Sequence, residues 1–148
     1  MNHSLGELNI YPANIISFDK ENIPRNVLQS FEEAIKCHSD ECYIASAIMI
    51  RKTLEEICFE KNIEGENLLK RIKNLSNKIV IPNELVLGMD DLRLLGNDAA
   101  HIDAQTFKDI GKEEIEVSIE FTKEILKALY QHEALLQKLR NLKEKNNI

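Results

Sequence analysis

In Arg93-Leu94-Leu95-Gly96-Asn97-Asp98-Ala99-Ala100-His101, a cation, an amide, a carboxylate and an imidazole fall together at the end of an otherwise apolar pattern. The pattern opens at Pro82, and Leu85, Met89, Leu92, Gly96 and Ala99 recur along it in a narrow stripe. That spacing predicts a helix. On it, Arg93, Asn97 and His101 fall within roughly 80° of one another and span about 12 Å along the axis. Such a row suits a phosphate-bearing ligand. Gly96 lies on the packing stripe, where a missing side chain lets a neighbouring helix approach, at about 1 kcal/mol of helix propensity relative to Ala. Asn97 and Asp98 are poor helix formers, which favours a polar role for the cluster.

Four more helices are predicted around this one. Asn22-Ile23-Pro24 reads as the start of a helix running to about His38, with Val27, Leu28, Phe31, Ala34 and Ile35 on its apolar face. Ser39-Asp40 breaks it and can cap the next, from about Glu41 to Lys61. This second helix is the most apolar, with Ile44, Ala47, Ile48, Leu54, Ile57 and Cys58 at helical spacing, widened by Ala45 and Met49. A short helix over Glu66–Leu75 follows Gly65. A long one from Lys112 to about Lys145 keeps Ile115, Thr122, Leu129 and Leu136 in seven-residue steps. Thirty-odd helical residues span about 50 Å, more than the other helices can cover. Its far end therefore either frays or packs on another copy of the chain. Before the helices, residues 1–21 lack helical periodicity, and Tyr11 to Phe18 read as extended. The expectation is an all-α fold: an antiparallel bundle of about five helices over 22–145, with a long C-terminal helix and an extended N-terminal arm over 1–21.

At 148 residues the chain fits one domain that buries roughly 70 % of its unfolded surface. A net charge of −6 argues against non-specific nucleic-acid binding by the whole surface but leaves room for a local basic pocket. The longest apolar run, Ile44 to Ile50, falls short of the ~20 residues that cross a bilayer. The N-terminus lacks a signal-peptide pattern. A soluble, cytoplasmic protein without membrane contact is expected. Cys37, Cys42 and Cys58 are odd in number and lie in or beside helical pattern, as reduced cysteines do. No zinc signature, phosphate loop, dinucleotide fingerprint or nucleophile elbow occurs, so neither metal nor cofactor is expected. His3, His38 and His132 read as surface or helix-flank residues, and Lys138, Arg140, Lys143 and Lys145 as a solvated helix end.

Two groups keep two readings each. Arg51, one turn before Glu55 within a core stripe, forms either a structural ion pair, with Asp98 as a third member, or part of a polar pocket with Arg93. His101 either caps the carbonyls of its helix end or serves as a general acid or base.

Met49-Ile-Arg51-Lys-Thr-Leu-Glu55, Gly65-x-x-Leu68, Leu92-Arg-x-x-Gly96-Asn97-x-Ala-Ala-His101 and a closing helix through Leu126-Lys-Ala-Leu-Tyr130 resemble a bacterial domain-of-unknown-function family. That family belongs to the HEPN-like helical bundles and is also found fused to restriction-enzyme subunits. The resemblance runs from Glu33 to Leu142. It implies an antiparallel bundle, often dimeric, in defence and nucleic-acid settings. Many HEPN proteins are metal-independent ribonucleases with an Arg-Asn-x-x-x-His motif, in which His moves protons and Arg holds phosphate. Asn97 and His101 match that motif. Its arginine place is Gly96, with Arg93 one turn earlier.

The leading expectation is a HEPN-like homodimer that binds a nucleotide, nucleic acid or protein partner, in a defence or regulatory setting. Arg51, Glu55, Arg93, Asn97, Asp98 and His101 form its ligand pocket. The rival is a ribonuclease in which His101 deprotonates a ribose 2′-hydroxyl, Arg93 stabilises the phosphate and Asn97 completes the site. The third reading makes the motif a buried polar network that fixes helix register.

Overall fold

The computed structural model describes residues 15–103, 106–107 and 109–146. They form an all-α bundle of five helices: α1 (Arg25–Ser39), α2 (Tyr43–Glu60), α3 (Leu68–Lys78), α4 (Asn83–Ala100) and a closing helix, α5, over 112–146. The last is a rod of 35 residues: α-helix over Lys112–Leu126, a π-helical turn over Lys127–Gln131, and α-helix again over His132–Asn146. Most of the expected N-terminal arm falls on residues 1–14, outside the described residues. Ile15–Lys20 carry neither helix nor strand. Phe18 sets its ring edge-on to Phe31, with centroids 4.8 Å apart.

α2 is the centre of the bundle. It packs most extensively on α1 and α4 and also meets α3 and α5. The link over residues 40–42 is too short for anything but an antiparallel turn between α1 and α2. Fully enclosed Phe31, Ile50, Leu54, Ile57, Met89, Leu95, Ile115 and Ile119 make the core between the layers.

The second helix buries Ala47, Leu54, Ile57 and Cys58 as expected, but its inward face is rotated away from Ile44 and Ile48. Ile44 and Ile48 are exposed, and Ser46, Ala47, Ile50, Thr53, Leu54, Ile57 and Cys58 form the buried row. The buried hydroxyls explain it. Ser46 Oγ donates to the carbonyl of Ala34 across to α1 at 2.7 Å, and Thr53 Oγ1 donates to the carbonyl of Met49 at 2.8 Å. With those donors satisfied, two small polar side chains sit in the core at little cost.

Helix ends depart modestly from expectation. α2 begins after Cys42 with no side-chain cap. α3 runs later than predicted, because Asn67 Oδ1 accepts the Lys70 N–H at 2.9 Å and fixes the start. Pro24 and Pro82 both stand just outside their helices.

Candidate functional site

Gly96 faces α2, as its place on the stripe predicted. A Cβ there would stand 2.5 Å from Arg51 Cβ and 3.1 Å from the carbonyl oxygen of Ala47. The absent side chain is thus occupied by the stem of Arg51. Gly88, two turns earlier on α4, does the same for α5: a Cβ there would lie 2.0 Å from Phe121 Cζ. α4 spends one glycine on each of two neighbours.

The polar groups of the string hydrogen-bond to separate partners among the described residues. Arg51 donates through Nη1 to Glu55 on its own helix, with both side chains about one-third exposed. Its Nε is buried without a hydrogen-bond partner among the described residues. Arg93 Nε donates to Asp90 Oδ1 at 2.8 Å, one turn back along α4. Asp98 turns to the following loop, where its Oδ2 accepts the Phe107 N–H at 2.5 Å. Its other oxygen is buried without a partner among the described residues. Neither Arg51 nor Arg93 is ion-paired to Asp98 among the described residues. Each cation instead meets a carboxylate within its own helix.

His101 stands outside the row that Arg93 and Asn97 continue. α4 ends at Ala100, and His101 is its extended C-cap (φ −131°, ψ 126°), with its N–H bonded to the Asn97 carbonyl at 3.1 Å. A helical projection carried past Ala100 no longer predicts where the imidazole lies. The ring is exposed. It lines an open groove of about 660 Å³ with Ile44, Asp98, Ala99, Thr106, Phe107, Asp109 and Ile110. Of the expected site residues only His101 and Asp98 share that groove. Its charge does not suit a phosphate. Two carboxylates and the negative end of the α4 dipole meet one imidazole among its described lining residues.

Two features escaped the sequence reading. His38 is buried at 8 % exposure, and its Nε2 lies 2.9 Å from Glu116 Oε2, tying α1 to α5. Its spacing from Phe31, Ala34 and Ile35 was the available signal, since position 38 continues that stripe. The π-helical turn is the second feature. Tyr130 donates its hydroxyl to Glu60 at 2.7 Å, and Lys61 Nζ stands 4.6 Å over its ring centre. Burial and the bond to Glu60 push the phenol well above the usual tyrosine range. The same turn points Gln131 at the carbonyls of Asp19 and Glu21, at 2.8 and 3.1 Å.

The end of α5 outruns the other helices, as its length implied. None of its described side chains over His132–Asn146 is buried, and among the described residues its only extensive packing is on the π-helical turn that leads into it, with Lys138 Nζ 4.0 Å from Glu21 Oε2. Leu135, Leu136, Leu139 and Leu142 are 67, 45, 65 and 58 % exposed. The heptad steps had put Leu136 in line with Ile115, Thr122 and Leu129. A π turn holds one residue more than an α turn, which shifts the phase of everything after it by roughly 100°.

Among the described residues no group of three or more His, Cys, Asp or Glu side chains is placed to hold a metal ion. No described helix is long and apolar enough to cross a membrane. The model of the family described as Domain of unknown function (DUF4145) matches residues 32–145. No curated protein and no solved structure matches the chain.

Proposed function

The chain belongs to this domain family of unknown function, and we propose that it serves there as a non-catalytic interaction module whose projecting closing helix pairs with an amphipathic helix of a protein partner. One observation carries this reading: the end of α5 shows four leucines to solvent and buries no side chain. Helices of about 15 residues are marginal in water without packing. Burying four such leucines is worth on the order of 5 kcal/mol, a useful fraction of the cost of association.

The state of the polar string supports the same reading. Arg51 and Arg93 each pair with a carboxylate of their own helix, which reduces the net positive charge either offers a phosphate. The HEPN-like resemblance fits a binding role better than a ribonuclease. An arginine at position 96 would collide with Arg51.

A photo-crosslinking side chain at Leu139, in cells that make the protein, is expected to give a discrete adduct with a second polypeptide. Changing Leu135 and Leu142 to Glu should abolish the adduct. The same group at exposed Lys73 of α3 should give none. Absence of any adduct at position 139 would overturn the module reading. RNA incubated with the protein in chelator is expected to stay intact. Cleavage that His101→Ala removes would establish the ribonuclease instead.

A further inference from the structure

The closing helix is oppositely charged at its two ends. Lys112–Leu126 carries Glu113, Glu114, Glu116, Glu120 and Glu124 against two lysines. His132–Asn146 carries Lys138, Arg140, Lys143 and Lys145 against two glutamates. Beside the π-helical turn lies an open groove of about 860 Å³, floored by Phe121, Leu129 and Leu136 and rimmed by Glu84, Glu124 and Glu133. Glu84 and Glu133 have no ion-pair partner among the described residues. The one lysine in the lining, Lys61, is engaged with Tyr130 and Glu60. Leu136 belongs both to this groove and to the exposed leucine ridge, so groove and ridge are one continuous surface. The occupant it fits is a helix with leucines on one side and basic residues beside them. The end of α5 is such a helix.

From this we infer that the partner helix is the closing helix of a second copy of this chain, lying antiparallel along the first. This rests on the interaction-helix reading given above. Residues seven apart share a flank, so Glu133 and Arg140 lie on one side of the ridge and Leu135 and Leu142 on the other. A two-fold axis beside Gln137 sets Leu135 against the partner's Leu139 and Glu133 close to the partner's Arg140. The same axis brings the partner's Lys143 to the groove and its acidic rim. An isologous contact makes every such pairing twice, which doubles the effect of a single substitution. Parallel pairing would instead place the two basic ends side by side, where like charges repel.

Sedimentation equilibrium of the intact chain and its variants tests this. The wild type is expected to be a dimer, and Leu139→Glu a folded monomer whose melting no longer rises with protein concentration. Glu133→Arg alone and Arg140→Glu alone are each expected to weaken the dimer about tenfold, from two symmetry-related contacts of roughly 0.7 kcal/mol. The double variant should recover it. Three results would overturn the inference: a dimer indifferent to Leu139→Glu, a double variant no tighter than the singles, or a wild type that stays monomeric. If the wild type is monomeric while position 139 still crosslinks to a different protein, the partner assignment fails and the module reading stands.

Discussion

At the scale of single residues, the contact between Gly96 and Arg51 does the most to set the structure. The glycine is required by the 2.5 Å gap between a Cβ at position 96 and Arg51 Cβ, with backbone behind it. Gly96→Ala should therefore be destabilising despite the better helix propensity of alanine. Overpacking of about 1–3 kcal/mol outweighs a propensity gain of about 1. A net loss of up to about 2 kcal/mol in urea unfolding is expected. His101→Ala, at an exposed ring, should stay within about 0.5 kcal/mol of wild type. Equal effects of the two would contradict this assignment of roles. Burial also pushes the Cys58 thiol up to about 11, opposed by Arg71 and reinforced by Glu55. Above about pH 9 the unfolded chain releases that proton while the folded chain keeps it. Stability is then full below pH 9 and falls by about 2–3 kcal/mol as pH rises through 11. Cys58→Ala should flatten that part of a stability-against-pH curve, and an unchanged slope would contradict it.

At the scale of elements, the helices were legible because caps and apolar spacing agree, and their faces were less so. α2 carries apolar residues on several sides, so spacing alone could not tell Ile44 and Ile48 from the true inward row. Ser46 and Thr53 settle that row through hydroxyl bonds to backbone carbonyls, one of them to another helix. No local pattern reports a bond across elements. His38 was misread for a related reason: its partner Glu116 is remote in sequence, on α5. The polar string was legible as a helix end with Gly96 facing a neighbour. The hydrogen-bond partners of its polar groups were not legible. The separate partners of Arg93 and Asp98 depend on rotamers and on where α4 stops. The π-helical turn of α5 had no signal in composition, because it is held by contacts of Tyr130 and Gln131 with distant segments.

At the scale of the whole molecule, the bundle and the end of α5 are different kinds of structure. α2 is enclosed by the other helices, whereas residues 132–146 extend past them with their leucines exposed. A core of that kind opens only on global unfolding, while an unpacked helix end opens locally. The contrast gives the interaction reading, in its self-paired form, its most direct test: amide hydrogen exchange across the chain at low and high protein concentration. The account predicts rapid exchange over 132–146 in dilute solution and marked protection there on concentration, with the amides of α2 protected throughout. Exchange over 132–146 that stays equally fast at every concentration would contradict it.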